Sequence, residues 1–268
     1  MRSPRPRQFS REYADIFKDQ SVVDAYRFRP AYPAAVFEIL KEMIDPAVAP
    51  LAVLDAGCGT GFLARELTAF ADQVDAVDIS ENMIRAGKEL PGGDSPKLNW
   101  ICGAIEEVAL NPPYALIAVG EALHWMEWEI ALPRFAESLA PRGFLAIVEH
   151  VAIRDDWMRE AFRAAAAYSM NHDFEPYYMT TIVEELRTRG LFELVGTRHT
   201  DVVDIEQPIL DLVESLHARN GFSRDRMSKS AQAECDQALA SALRGAFPGG
   251  LVKQRIYSRV FWGTPRAV

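Results

Sequence analysis

A buried strand that breaks into a glycine-rich turn and then a helix is the feature that most constrains this fold. Leu51–Leu54 are apolar and partly β-branched, which is typical of a parallel strand covered on both faces. Gly57, Gly59 and Gly61 allow a tight turn and a close approach of the backbone to a ligand. Residues 62–70 follow a helical pattern, so the N–H groups of that helix point at the turn. The sequence therefore predicts a ligand site at the carboxyl end of this strand.

The spacing of the glycines is G-x-G-x-G, whereas the dinucleotide fingerprint requires G-x-G-x-x-G. With Asp55 two residues before the first glycine, the run resembles the first motif of the class I S-adenosylmethionine-dependent methyltransferases, E/D-x-G-x-G-x-G. A second segment agrees: residues 73–77 predict the next strand, Asp78 ends it, and Ile79–Met83 resemble the family's D-x-S-x-x-M. The resemblance implies S-adenosyl-L-methionine as cofactor, with Asp55 and the glycines at the turn and Asp78 on the ribose hydroxyls.

The resemblance also implies the fold and its boundaries. We expect a Rossmann-like α/β fold whose seven-stranded, mostly parallel sheet has the order 3-2-1-4-5-7-6, with strand seven antiparallel, helices on both faces and a helical cap. Further strands are predicted at 98–102, 115–119, 144–148, 192–199 and 253–262. Helices are predicted at 80–90, with Ser80 as its N-cap, at 129–139, 156–168 and 182–190, and over most of 208–246. Residues 1–8 are expected to be a disordered tail, and residues 9–268 a single methyltransferase domain with cap elements 9–45, 154–180 and 205–248.

An aromatic and arginine-containing segment precedes the first strand. Tyr26–Pro33 resembles the Y-x-x-x-R-P-x-Y-P lead-in of small-molecule members of the family, with Tyr26 one residue closer to the arginine. The resemblance implies that this region lies over the cofactor. We therefore expect Tyr26 and Arg29 at its methionine end, where a guanidinium can pair with the carboxylate. The alternative is that Arg29 only anchors the segment to the sheet.

The segment after the third strand departs from the family pattern. The family often has G-D/S-A-E there, but this chain has Gly103–Glu106, so Ala104 stands where an acid would contact the adenine amino group. We expect the backbone at Ile105 to meet the ring. Ile79, Met83 and Ile105 are then expected to enclose the adenine mainly by apolar contact.

Asn111–Tyr114 spell N-P-P-Y, the motif by which amide and adenine nitrogen methyltransferases hold a planar amine. In those enzymes the motif follows strand four. Here it precedes the apolar run 115–119, so we interpret it as a loop with proline punctuation.

The residues after strand four contain the best-placed titratable side chain. Gly120–Trp125 resembles the A-L-H-W signature of a type 11-like small-molecule subfamily that includes trans-aconitate methyltransferase-like proteins, with Glu121 where Gln is common. We expect Gly120 and Glu121 to contact the cofactor and His124 to be catalytic, taking a proton from a hydroxyl or orienting the acceptor. The alternative is that His124 only shapes the loop. Trp125 can wall the substrate pocket or fill the core.

An aromatic-rich stretch, 170–179, has no motif. Phe174, Tyr177 and Tyr178 are expected to contact the substrate together with Trp125, although aromatic residues at such spacing also serve packing.

Charge and composition restrict the partners. The net charge of −9 argues against a nucleic-acid binder, since neutralising phosphates requires a basic surface. Arg2, Arg5, Arg7 and Arg11 fit a flexible tail better than an RNA-binding arm. The three cysteines show neither paired nor metal-ligand spacing, no secretion signal is apparent, and no apolar run approaches the roughly 20 residues that cross a bilayer. We expect a cytoplasmic protein without a metal; whether it forms a homodimer stays open.

These observations favour one activity and leave alternatives. The favoured activity is in-line transfer of the sulfonium methyl group to a small molecule, with oxygen of a hydroxyl or carboxylate preferred over nitrogen or carbon. The first alternative is a cofactor-binding protein of the same fold with cyclase or decarboxylase-like chemistry, or a regulatory binder. A second alternative, methylation of protein or RNA, conflicts with the acidic charge.

Overall fold

One mixed sheet of eight strands organises the computed structural model, which describes residues 6–45 and 47–267. The strands are β1 (Ala52–Ala56), β2 (Gln73–Asp78), β3 (Leu98–Cys102), β4 (Tyr114–Gly120), β5 (Leu139–Ala152), β6 (Phe192–His199), β7 (Val203–Pro208) and β8 (Leu251–Pro265). Their order is β3-β2-β1-β4-β5-β8-β6, with β7 paired separately to β8. The pairings among β1 to β5 are parallel, and β8 runs antiparallel to β6 and β7. The predicted order and its antiparallel last strand are confirmed, with β8 in the place of strand seven.

The strand β7 was not predicted; it ends where the predicted helical region 208–246 begins, and the helices Ile209–Leu216 and Lys229–Ala246 lie in that region. Residues 203–206 alternate apolar and polar side chains, a period of two that favours a strand. In the structure they pair with the first part of β8, Val203 opposite Ile256 and Pro208 opposite Leu251.

The helices lie between the strands. They are α1 (Arg11–Ala14), α2 (Gln20–Tyr26), α3 (Ala35–Met43), α4 (Ala64–Leu67), α5 (Glu81–Glu89), α6 (Trp128–Ser138), α7 (Asp156–Ala166), α8 (Met179–Thr188), α9 (Ile209–Leu216) and α10 (Lys229–Ala246). α4 is shorter than the predicted helix 62–70, because residues 61–63 still belong to the glycine turn. β5 is longer than predicted and begins directly after α6.

Parallel strands at the centre of the sheet are buried on both faces, as the apolar run before the turn predicts. Leu54 and Ile117 belong to one apolar cluster and Val53 and Leu116 to another, and all four side chains are inaccessible to solvent. β1 pairs with β2 on one side and β4 on the other, so the strand order reverses between β1 and β4. Ligands of open α/β sheets bind in the crevice outside the carboxyl ends of the strands at such a point.

The contacts divide the chain into two compact units. The first comprises the residues up to Ala31, Ala152–Glu175 and Val202–Ile256, and the second comprises Tyr32–Val151, Pro176–Asp201 and the residues from Tyr257 onwards. This division differs from the expected boundaries of the cap, since residues 32–45 and 176–180 fall in the second unit.

The expected disordered tail, residues 1–8, is corrected at its end. Arg7–Phe9 form a short 3₁₀ helix, and Gln8 is buried and accepts a hydrogen bond from the backbone of Glu175. Residues 1–5 lie outside the described residues.

Candidate active site

The turn after β1 requires glycine for two physical reasons. Gly57, Gly59 and Gly61 have φ of 76°, 55° and 80°, in the left-handed region that side chains disfavour. The turn is also crowded: a Cβ added at Gly57 would lie 2.4 Å from Cβ of Ala122, and one at Gly61 would lie 2.6 Å from the Trp100 ring. The turn therefore packs directly against the loop that follows β4.

Asp78 ties the turn to β2. Its Oδ2 accepts a hydrogen bond from the Gly59 N–H at 2.8 Å, and its Oδ1 accepts one from the Ser80 N–H at 2.8 Å. The backbone N–H of Gly57 donates to the carbonyl of Val77 at 2.8 Å. Because an ionised carboxylate accepts about four hydrogen bonds, Asp78 can hold this backbone and hydroxyl groups of a ligand at once.

Asp55 lies beneath the turn. Its side chain is buried, and its Oδ2 accepts a hydrogen bond from the Ala64 N–H at 2.9 Å, at the start of α4. Burial raises the pKa of this carboxyl from 3.8 to about 7, with a smaller contribution from the charge of Asp78. The structure thus gives Asp55 a positioning role below the turn, and its direct contact with a cofactor stays a prediction.

The end of β4 is fixed to the end of β5. Glu121 adopts φ of 52°, and its Oε1 accepts a hydrogen bond from the backbone N–H of His150 at 2.7 Å. A Cβ added at Gly120 would lie 2.7 Å from the Tyr32 hydroxyl, and the Tyr32 ring lies edge-on to that of His150, with centroids 5.8 Å apart.

His124 is paired with a tyrosine 53 positions away in the chain. It lies in the 3₁₀ helix Leu123–Trp125 and is only 3% exposed. Its Nε2 is 3.1 Å from the Tyr177 hydroxyl, and its ring also contacts Trp125, with centroids 4.8 Å apart. The structure thus brings Tyr177, a substrate-contact candidate from the distant stretch 170–179, to the catalytic candidate His124 and its neighbour Trp125.

Known proteins resemble the part of the chain that builds this site. A family model described as a methyltransferase domain matches residues 53–143, from β1 into β5. Over residues 53–143 the chain is thus similar to methyltransferase domains, in agreement with its resemblance to the class I S-adenosylmethionine-dependent family. A malonyl-[acyl-carrier protein] O-methyltransferase of Anoxybacillus flavithermus is 33% identical over 102 residues, 37% of this chain and 38% of that protein. An uncharacterized methyltransferase of Mycobacterium tuberculosis is 34% identical over 145 residues, 52% and 55% of the two chains. The chain therefore spans between 38% and 55% of the length of these relatives.

A solved structure shows the same fold over a longer stretch. A protein of Anaeromyxobacter dehalogenans, provisionally assigned as a type II methyltransferase, superposes with a TM-score of 0.61 at 22% identity. The match covers 89% of this chain and 99% of that one.

S-adenosyl-L-methionine is the cofactor that these similarities support, and the side chains at the ends of β2 and β3 are chemically compatible with it. A side chain at Gly57 or Gly61 would collide with Ala122 or Trp100, and Asp78 presents a carboxylate beside the turn. Ile79 follows Asp78 and is 36% exposed, while Met83 and Ile105 are buried. This apolar set fits the predicted adenine surface, with Ala104, half-buried, beside it.

Two polar side chains fix the segments that carry the predicted adenine contacts Met83 and Ile105. Ser80 caps α5, as predicted, because its Oγ accepts the Met83 N–H at 3.2 Å. Arg134 on α6, which the sequence analysis missed, donates to the carbonyls of Ile105 and Val108 and so fixes the loop after β3. An arginine on an amphipathic helix gives no sequence signal for this role.

The remaining predicted residues are distributed over both units. Tyr178 belongs to the second unit and is 56% exposed, while Phe174 belongs to the first unit and is 54% exposed. Tyr26 and Arg29 also belong to the first unit, where the Arg29 guanidinium stacks on the Tyr26 ring at 5.0 Å. Their contact with a cofactor stays a prediction.

The N-P-P-Y segment is a structural loop before β4, as interpreted from the sequence. The Tyr114 hydroxyl donates to Oδ2 of the buried Asp75 at 2.5 Å, and the Asn111 amide donates to the same oxygen at 3.3 Å. The hydrogen bonds from Asn111 and Tyr114 thus offset part of the free energy of desolvation of the Asp75 carboxylate on β2.

Two further site residues were missed by the sequence analysis. Tyr32 lay within the lead-in motif, which pointed to Tyr26 and Arg29 instead. Glu149, one residue before His150, is the other, and nothing in its sequence surroundings marks it.

Among residues 6–45 and 47–267, every helix is too short or too polar to span a lipid bilayer.

Proposed function

We propose that the protein transfers a methyl group from S-adenosylmethionine to an oxygen atom of a small-molecule acceptor. The observation that carries this proposal is the His124–Tyr177 pair, which stands on a loop packed against the glycine turn through Ala122. A proton-handling pair beside the cofactor turn suits an acceptor that loses or shares a proton. The relative named as an O-methyltransferase supports oxygen as the acceptor atom.

Binding of the cofactor is assigned to the carboxyl ends of β2, β3 and β4, which lie on the two sides of β1 in the sheet. In this proposal Asp78 accepts hydrogen bonds from the ribose hydroxyls, and Ile79, Met83 and Ile105 enclose the adenine. Gly120 and Glu121, at the end of β4, face the same crevice because β4 is parallel to β1. Tyr26 and Arg29 are proposed to hold the methionine carboxylate.

The cofactor supplies a methyl group that is already activated by the sulfonium, so the protein's task is chiefly to position the acceptor. Holding the acceptor atom about 3 to 3.5 Å from the methyl carbon, in line with the sulfur, supplies a large part of the rate. Trp125, Tyr177, Tyr178 and Phe174 are the proposed walls for the acceptor.

The His124–Tyr177 pair can accept a proton without rearrangement. With the phenolic hydrogen directed at Nε2 of His124, the Tyr177 oxygen can accept a hydrogen bond from an acceptor hydroxyl. As the new carbon–oxygen bond forms, the acceptor's proton passes to the Tyr177 oxygen while the phenolic proton moves to Nε2. For a carboxylate acceptor, which has no proton to lose, the same pair only orients the group.

The test separates cofactor binding from transfer. Calorimetry with S-adenosylmethionine and S-adenosylhomocysteine should show binding of both to the natural protein, loss of binding in Asp78→Ala, and retention in Asp94→Ala. Asp94 is a matched control because it is an exposed acid on the loop after α5. Absence of binding to the natural protein would contradict the cofactor assignment.

Screening hydroxylated and carboxylated small molecules with the same protein tests the transfer step. We expect formation of S-adenosylhomocysteine and a methyl ether or ester, detected by mass spectrometry. For a hydroxyl acceptor His124→Ala should lower kcat by roughly 10² or more. Cofactor binding with product methylated on nitrogen or carbon would overturn the choice of oxygen, and binding without methylation of any acceptor would favour a non-methylating binder. Cytoplasmic location and homodimer formation stay predictions.

A further inference from the structure

The tyrosine that pairs with His124 lies just before a helix with no side-chain cap of its own. Tyr178 is the N-cap residue of α8, and its side chain makes no capping hydrogen bond. The backbone N–H of Met179, the first residue of the helix, donates instead to Oε1 of Glu149 at 3.3 Å. A carboxylate is favourable at a helix N-terminus because of the partial positive charge there. Glu149 thus caps α8 from another element.

Glu149 stands at the same edge of the sheet as the His124 loop. Val148 on β5 is the register partner of Gly120 on β4, and the two strands are parallel. Glu149 is the next residue of β5, so it lies beside the point where the chain leaves β4 at Glu121. Its side chain is 14% exposed.

A buried carboxylate needs a partner, and Glu149 has one on β8. Nη1 of Arg259 is 3.5 Å from Oε2 of Glu149, and the Arg259 side chain is 19% exposed. Nη2 of Arg259 also donates to the Tyr257 hydroxyl at 3.0 Å. Oε2 receives no hydrogen bond from the described residues, so the guanidinium offsets part of the desolvation of the carboxylate by its charge alone.

These contacts form a continuous series within one unit. It runs from Arg259 on β8 to Glu149 on β5, then to the first N–H of α8, and from Met179 back two residues to Tyr177, whose hydroxyl is 3.1 Å from His124. The apolar face of α8 also anchors the helix, through Ile182, Val183 and Leu186. That face fixes the body of the helix, whereas Glu149 fixes the turn from which Tyr177 projects.

We propose that Glu149 is a positioning residue that holds the Tyr177 hydroxyl on Nε2 of His124 through the N-terminus of α8. The proposal rests on the role given to the His124–Tyr177 pair in the proposed function. Glu149 itself touches neither ring; it acts through the backbone of Met179.

The test uses the ring ¹⁵N signals of the five histidines in the full chain, with His124 assigned by His124→Gln. Tyr177→Phe defines the change that loss of the Tyr177 hydrogen bond causes. Glu149→Leu, which removes the acceptor at similar volume, should move the His124 signals in the same direction and by a comparable amount. Glu149→Gln keeps an oxygen for the Met179 N–H and should restore most of the natural signal. The double variant Glu149→Leu/Tyr177→Phe should add nothing to Tyr177→Phe.

Glu184→Ala is the matched control, because it removes an exposed carboxylate from α8 itself without touching its N-terminus. Natural His124 signals in a folded Glu149→Leu protein would overturn the proposal. If Glu149→Leu does not fold, Arg259→Met decides: a shift in the direction of Tyr177→Phe supports the proposal, and unchanged His124 signals overturn it.

Turnover gives a second, separate readout. Once an acceptor is found, Glu149→Leu and Tyr177→Phe should lower kcat alike, by about 10- to 100-fold, with the KM for S-adenosylmethionine unchanged. Glu149→Gln should recover most of the loss. Because the histidine signals need no methyl acceptor, failure of the proposed function would leave the positioning result intact, and failure of positioning would leave the methyl transfer intact.

Discussion

At the scale of single residues, the acid that opens the glycine motif is buried beneath the turn. Asp55 accepts one backbone hydrogen bond, from Ala64, and burial raises its pKa to about 7. In the unfolded chain the same carboxyl titrates near 4. Between these two values the folded protein binds more protons than the unfolded one, so the free energy of unfolding falls as the pH rises.

Asp55→Asn should therefore remove a pH dependence of stability. For the natural protein the stabilisation from the protonated carboxyl is complete below about pH 4 and is lost as the pH rises to about 7, by at most about 1.4 kcal/mol per pH unit. The asparagine keeps an acceptor for the Ala64 N–H but does not titrate, so the variant should gain stability relative to the natural protein as the pH rises from 5 to 8. Urea unfolding at both pH values measures this.

Asp72→Asn is the control, because Asp72 also accepts a backbone N–H, from Leu51, but is exposed. If Asp55→Asn changed stability equally at pH 5 and pH 8, the carboxyl would be ionised in the folded protein throughout and the effect of burial would be refuted.

At the scale of elements, the glycine turn and the loop after β4 form one packed unit. Gly57 meets Ala122 closely, and Ala122 directly precedes the 3₁₀ helix that carries His124. A side chain at position 57 must therefore move that helix or strain the turn. The position of the His124 helix thus depends on the packing of the glycine turn.

Gly57→Ala should destabilise the protein by two effects, the left-handed backbone, about 1 to 2 kcal/mol, and overpacking, about 1 to 3 kcal/mol. Gly190→Ala carries the first effect alone, since Gly190 has φ of 70° and nothing within 4 Å of the added Cβ. Ala122→Gly in the Gly57→Ala background should relieve only the second effect. Urea unfolding gives the free energy of unfolding of the three variants. An equal decrease in Gly57→Ala and Gly190→Ala would show that the loop after β4 moves aside without loss of stability.

At the scale of the whole molecule, each of the two units has its own apolar core. The first unit has the cluster around Val213, Cys235 and Leu243, and the second has the two clusters that cover the parallel strands. β8 belongs to both units, because its first part pairs with β7 and its later part with β6. Separating β7 or β6 from β8 would leave backbone N–H and C=O groups of the same strand without their hydrogen bonds.

We therefore expect the two units to unfold in one transition. Fluorine-labelled tryptophans provide the probes: Trp157 packs on Phe247 in the first unit, and Trp128 is buried in the second. S-adenosylhomocysteine at about 100 times its Kd should add about 2.7 kcal/mol and move both urea midpoints together. Neither midpoint should move in Asp78→Ala. A shift of the Trp128 midpoint alone would show that the units unfold separately.

The sequence alone was sufficient where local chemistry decides the outcome. The glycine spacing and the apolar strand before it predicted the turn, because backbone strain and apolar burial act over a few residues. The order of the strands followed from the resemblance to the methyltransferase family. Ser80 as a helix cap and N-P-P-Y as a loop followed from neighbouring residues in the same way. The strand β7 was not predicted, although residues 203–206 alternate apolar and polar side chains, because a run of four residues is short beside the helical pattern that follows it.

Tertiary structure decided everything that depends on residues distant in the chain. The bond between His124 and Tyr177, the cap that Glu149 gives α8 and the grip of Arg134 on the loop after β3 join elements whose separation in sequence leaves no periodic signal. The raised pKa of Asp55 likewise comes from the layers packed over it, since desolvation is a property of the folded surroundings and not of the motif. The sequence by itself thus determined the glycine turn and, through its family resemblance, the sheet that carries it, whereas only the tertiary structure brought together the groups proposed to face the acceptor.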